Sequence, residues 1–211
     1  MEVKQYNLIR SLKLQPLIVV IRLEYNFFNL SKKRDDLFLR IDKLSNYGIK
    51  NIEIGWDSNP EWVNLILEIK KSFKTINIGV ASISSKQSLD SILSLDLNYS
   101  MSPIFNKEIH LKAINHNQLV IPGISNIENF KEASNLGYKI VKIFPVSKLG
   151  INFIHELQDF KKKDIFFIGA GGIKSKNLNK LLISAYNAFV IGRELRNQIF
   201  DKDLEIWLKS Y

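Results

Sequence analysis

The chain has 211 residues, 45% of them hydrophobic and 24% charged, which fits a single globular domain over residues 1–211 with a sizeable core. It has no cysteine, which excludes a disulfide framework and a thiolate zinc site and fits a reducing compartment. The formal charge of +9 comes from scattered lysines that cluster only as KKR at 32–34 and KKK at 161–163, so it points to an anionic small molecule rather than to nucleic acid. The opening MEVKQYNLIRSLKLQ lacks the apolar run of a signal peptide, and nowhere do about 18 apolar residues follow one another. A cytoplasmic protein without a membrane partner is the expectation.

An N-terminal helix precedes the first strand, LIVVI at 17–21. Further strands are predicted at 51–54, 77–80, 99–101, 119–121, 140–144, 165–168 and 188–191, short runs rich in β-branched residues, eight in all. Amphipathic stretches separate them. In KKRDDLFLRIDKLSNYG at 32–48, Leu37, Leu39, Ile41 and Leu44 approximate an apolar side and Gly48 is the C-terminal stop. The stretches at 59–72 and 175–187 read the same way, and DLEIWLKSY at 203–211 forms an amphipathic tail that caps the barrel or contacts another subunit. Eight alternations without a linker favour an α/β fold of the (β/α)8 TIM barrel type over a doubly wound sheet.

In such a barrel the chemistry lies at the C-terminal ends of the strands. Arg22 follows the first strand, Glu53 lies near the end of the second, Ser82 follows the third, Ser102 and Pro103 the fourth, and Pro122 the fifth. Lys142 sits inside the sixth, in KIVKIFPV, sharing a face with Ile140 and Phe144 rather than with Val141 and Ile143. If the latter pair meets the helices, Lys142 points inward, and parity brings Glu53 and Arg22 to the same space. Taken singly, Lys142 reads as a snorkelling side chain and Glu53 as a structural partner. Burying them together costs several kcal/mol, which favours a chemical role.

A lysine in an apolar pocket beside an arginine has an increased neutral fraction and is suited to attack a carbonyl. The Schiff base that forms is an electron sink for breaking a neighbouring carbon–carbon bond, and Glu53 is placed to shuttle protons. His110, His116 and His155 lack metal-ligand spacing, Trp56 and Trp62 read as packing residues, and no nucleotide loop is present.

The segments VVIR, GIKNIEIGWDSNPEW, SP at 102–103, VIPGIS, VKIFPVSKLG and GAGGI occur in an order that resembles the class I aldolases acting on 2-keto-3-deoxy-6-phosphogluconate (KDPG) and its galactonate epimer. The similarity runs from about Leu17 to about Leu195, and VKIFP is its most specific piece. The resemblance implies a homotrimeric barrel and metal-independent cleavage to pyruvate and glyceraldehyde 3-phosphate. It also implies no cofactor beyond a covalent Schiff base on Lys142, with Glu53 as general acid/base and Arg22, Ser82, Ser102, Pro103, Pro122 and Phe144 around the substrate.

Departures from the family pattern bear on the substrate. Asp57 stands where gluconate-type members often carry an arginine, and the galactonate-like DSNPEW favours Arg22 as carboxylate partner. The family's GAGT is GVAS here, with Ser82 in place of threonine. For the phosphate, Gly171 and Gly172 of GAGGI offer backbone N–H groups. The second loop offers Gly192 and Arg193, the arginine either gripping the phosphate or pairing with Glu194 and filling the pocket. Two alternatives stand beside the KDPG reading: cleavage of 4-hydroxy-2-oxoglutarate, and a degenerate barrel that binds a phosphorylated metabolite without turnover.

Overall fold

The computed structural model describes residues 1–22, 30–160, 165–192 and 202–211. Helix α1 (Glu2–Leu14) leads into strand β1 (Leu17–Ile21), followed by α2 (Leu30–Asn46), β2 (Asn51–Gly55), α3 (Trp62–Ser72), β3 (Asn77–Ala81), α4 (Lys86–Leu93), β4 (Ser100–Met101) and α5 (Lys107–Asn115). The chain continues through β5 (Val120–Ile121), β6 (Gly123–Ile124), α6 (Ile127–Asn135), β7 (Ile140–Ile143), α7 (Val146–Leu149), α8 (Phe153–Gln158) and β8 (Phe166–Ala170). A 3₁₀ turn (Ser175–Asn177), α9 (Leu178–Ile183), β9 (Ala188–Ile191) and α10 (Lys202–Leu208) complete it.

The strands form one parallel sheet in the order β5-β4-β3-β2-β1-β9-β8-β7-β6. There are nine described strands where the sequence predicts eight, because the fifth runs past 121 and divides at Pro122 into β5 and β6. Proline has no N–H to give to a ladder. Its carbonyl instead accepts the Lys142 N–H at 2.9 Å, so the peptide itself joins the two ends of the sheet order and closes a (β/α)8 barrel.

Glycine is required just after this break. A Cβ on Gly123 would lie 2.2 Å from the Pro103 carbonyl oxygen and 2.8 Å from that of Ser102. Gly123→Ala is therefore expected to push the 102–103 backbone off β6 and lower the unfolding free energy by about 3 kcal/mol, measured by urea denaturation.

The register sorts the strand side chains between two cores. Val20 stands opposite Glu53, Glu53 opposite Gly79, Gly123 opposite Lys142 and Lys142 opposite Ile168. These positions face the barrel interior. Ile52, Ile54, Val141 and Ile143, of opposite parity, are fully buried between sheet and helices. On α2, Leu37, Ile41 and Leu44 join that outer core, whereas Leu39 is 52% exposed. Two residues past Leu37 is about 200° around a helix, so Leu39 belongs to the opposite side from the apolar stripe expected of it. Gly48 ends the helix at φ +85°, its N–H bonded to the Ser45 carbonyl.

Helix α1 closes the N-terminal mouth of the barrel. Its Leu8 and Leu12 are buried, Ser11 Oγ donates to Asn51 Oδ1 at 3.0 Å, and Gln5 bonds Gly137 O and Lys139 N. In the tail, Leu204 and Trp207 are buried and α10 packs on the 3₁₀ turn. Among the described residues no helix is long and apolar enough to cross a membrane.

Candidate active site

Lys142 reaches the barrel interior because β7 alternates strictly. Ile140, Val141 and Ile143 are fully buried around it, and Lys142 itself is 7% exposed. Its Nζ lies 5.4 Å from the centroid of the Phe144 ring, the next residue on the same face. Burial pushes its pKa down to about 8, with Glu53 opposing the shift and Arg22 adding to it. The ammonium is thus held much closer to its neutral form than an exposed lysine.

Glu53, on β2, is 1% exposed, and its Oε1 has no hydrogen-bond partner among the described residues. Burial raises its pKa to about 7, while Lys142 and Arg22 pull it back down. A carboxyl that titrates near neutrality takes and gives a proton with similar ease. Arg22 follows β1 at the open end of the barrel, exposed, and its Nη1 donates to Ser82 Oγ at 3.2 Å. Ser82 holds φ +71°, in the left-handed region that costs a non-glycine residue about 1 kcal/mol or more. The strain and the arginine contact fall on one residue at the end of β3.

The other residues singled out in the sequence divide. Pro122 shares the Lys142 backbone bond described above, and Pro103 abuts Gly123. The Ser102 hydroxyl is instead turned into the wall: it is 1% exposed, accepts the Gly123 N–H at 3.2 Å and lies 3.3 Å from His110 Nε2. Nδ1 of His110 lies 2.7 Å from the Asn106 carbonyl, so it carries the proton and Ser102 donates to Nε2. Burial lowers the His110 pKa to about 4 and keeps the ring neutral. Spacing alone marks His110 as structural or surface; it is a buried brace between α5 and the Pro122–Gly123 break.

Asp57 is engaged locally, its Oδ1 accepting the Asn59 N–H at 2.8 Å in a turn that leads to α3. The acid that replaces the expected arginine is therefore occupied by its own backbone. Gly171 and Gly172 adopt φ +86° and +77° in succession. A Cβ on Gly171 would meet Pro145 at 2.7 Å and one on Gly172 would meet Ser147 at 2.5 Å, so both glycines are demanded by close approach. A cleft beside Gly172 is lined by Ser147, Asn177 and Lys180. Gly192 packs against Val20, where a Cβ would lie 2.4 Å from Cγ1, while Arg193 and Glu194 lie outside the described residues. No cluster of His, Cys, Asp or Glu able to hold a metal occurs among the described residues.

Parity did not bring Tyr99 to notice. It is fully buried, on the same face as Met101, with its ring over Gly79. The available signal was an aromatic residue facing a glycine on the neighbouring strand.

A closed parallel barrel with ionisable side chains gathered toward the C-terminal ends of its strands is the architecture of a (β/α)8 enzyme. Residues 8–204 match the family described as KDPG and KHG aldolase, and the chain belongs to that family of aldolases. The 2-dehydro-3-deoxy-6-phosphogalactonate aldolase of Escherichia coli (strain K12) is 23% identical over 163 residues, 76% of this chain and 78% of that protein. The KDPG aldolase of Zymomonas mobilis ZM4, solved with 3-phosphoglycerate, shares the fold with a TM-score of 0.76 at 19% identity, over 95% of this chain and 93% of that one. The KDPG aldolase from Legionella pneumophila, with pyruvate captured at low pH as a covalent carbinolamine intermediate, gives 0.74 at 19% identity over 92% and 91%.

Proposed function

We propose that the chain is a class I aldolase that cleaves a 2-keto-3-deoxy-6-phospho sugar acid to pyruvate and glyceraldehyde 3-phosphate through a Schiff base on Lys142. The observation that carries this reading is the meeting of Lys142, Glu53 and Arg22 in and above the barrel interior, the first two nearly inaccessible and both acted on by the arginine charge.

In the neutral form, the Lys142 amine adds to the C2 carbonyl of the substrate to give a carbinolamine, which loses water to an iminium. The Glu53 carboxylate takes the proton of the C4 hydroxyl as the C3–C4 bond breaks. The bonding electrons move onto the iminium nitrogen and leave an enamine and a free aldehyde. Protonated Glu53 then returns its proton to the enamine carbon, which becomes the pyruvate methyl group. Hydrolysis of the remaining iminium releases pyruvate and restores the amine.

Arg22, tied to Ser82, faces the position of the substrate carboxylate, and Phe144 walls the lysine. The N–H groups of the Gly171–Gly172 turn, with Gly192 and Arg193, receive the phosphate. Assembly as a homotrimer in the cytoplasm belongs to the same reading. A second reading, cleavage of 4-hydroxy-2-oxoglutarate, uses the same lysine and glutamate without a phosphate; the family description covers both activities.

Incubation with pyruvate and borohydride in the presence of a chelator is the test. The expected result is one pyruvate-derived adduct per chain, mapping to Lys142. An adduct on another lysine, a requirement for divalent metal, or no adduct would overturn the assignment; the last would leave the barrel as a binding protein. Relative kcat/KM on the phosphorylated acid and on 4-hydroxy-2-oxoglutarate then separates the two substrates.

A further inference from the structure

Two polar groups in the barrel interior are poorly satisfied, and they are neighbours. Glu53 Oε1 has no partner among the described residues. Among the described residues the Tyr99 hydroxyl, fully buried, makes a single long contact of 3.4 Å to the Ile52 carbonyl, at the edge of hydrogen-bond geometry. A buried tyrosine hydroxyl normally finds a better acceptor, and a phenylalanine would fill the same space without stranding an oxygen.

The backbone places the two groups side by side. Gly79 is the register partner of Glu53, one strand spacing away, about 4.8 Å. A Cβ at Gly79 would lie 2.4 Å from Tyr99 Cζ and 2.5 Å from Cε2, so the hydroxyl end of the ring occupies the space that a side chain at 79 would fill. The Oη contact with Ile52, the residue before Glu53, carries that end across to β2. The Glu53 charge acts on the Tyr99 phenol across this gap.

We propose that Tyr99 is a positioning residue for Glu53, its hydroxyl exchanging the long contact with Ile52 for a hydrogen bond to the Glu53 carboxylate when that group is charged. This rests on the aldolase reading, in which Glu53 alternates between acid and base. Burial and the Glu53 charge both raise the Tyr99 pKa well above its ordinary value, so the phenol remains a donor at every working pH. The charged groups acting on Glu53 are then Lys142 from β7 and Arg22 just after β1, with the Tyr99 hydroxyl as the neutral donor from the residue before β4. Glycine at 79 is what leaves room for the ring.

The test compares wild type with Tyr99→Phe, which keeps the ring and removes the donor. Two quantities are read: borohydride trapping of pyruvate, and the pH profile of deuterium exchange into the pyruvate methyl group. Loss of a donor to the charged form makes the carboxylate harder to ionise. The midpoint of the acid limb is expected to move up by about one pH unit, with exchange below the midpoint slowed roughly tenfold and trapping unchanged. A profile that superposes on wild type, or a midpoint that moves down, would overturn the proposal whatever happens to thermal stability. Wild type that exchanges no methyl protons would instead overturn the aldolase reading and this role with it.

Discussion

Lys142→Met is expected to abolish the borohydride-trapped pyruvate adduct, to reduce cleavage by about four orders of magnitude or more, and yet to stabilise the fold. Methionine is close to lysine in length and fits the space between Ile140, Phe144 and Ile168 without a charge to desolvate. In the native protein the pKa of this group falls from 10.5 to about 8, chiefly through burial. That difference corresponds to about 3 kcal/mol of native stability spent on the charged form at neutral pH.

The sign follows from proton counts. Between pH 8 and pH 10.5 the unfolded chain keeps the lysine proton and the folded chain has lost it, so wild-type stability rises with pH through that window. Below pH 8 both states are protonated and the burial cost is present in full. The advantage of Lys142→Met in urea denaturation is therefore expected to be largest near pH 7 and to shrink toward pH 10. An inactive variant less stable than wild type at pH 7 would mean that Lys142 holds the barrel together rather than straining it.

Strand parity is the part of the candidate site most legible in the sequence. Lys142, Glu53 and Arg22 fall on one face because a strand alternates with period two, and register across a closed parallel barrel preserves that face from strand to strand. What the sequence obscures depends on neighbours that only the fold supplies. The division of the fifth strand at Pro122 is one such feature, since Gly123 follows from the approach of the Pro103 carbonyl, about twenty residues away in sequence. Ser102 looks like a substrate residue by position, but His110 and the Gly123 N–H draw its hydroxyl into the wall. Asp57 reads as a hostile charge until its bond to Asn59 is seen. The pairing of Tyr99 with Gly79 has no local pattern at all.

Glu53→Gln should separate imine formation from proton transfer. The amide keeps the volume and removes the base, so borohydride trapping should persist while deuterium exchange into the pyruvate methyl group falls by about two to four orders of magnitude. Exchange that continues at the wild-type rate would move the proton work to another group. The same variant has a signature in stability. Burial raises the Glu53 pKa from 4.5 to about 7, so between those values the folded protein holds a proton that the unfolded chain has released. The Glu53 contribution to stability therefore falls as pH rises from 4.5 to 7, opposite to that of Lys142 at alkaline pH and to that of His110, which burial keeps neutral over much of the same window. Together Glu53 and Lys142 contribute least to stability near neutral pH, where both are charged in the native state. The stability of wild type relative to Glu53→Gln, from denaturation midpoints at pH 5 and pH 7, should therefore fall as pH rises. A difference that stays constant between the two pH values would leave Glu53 ionised across the range.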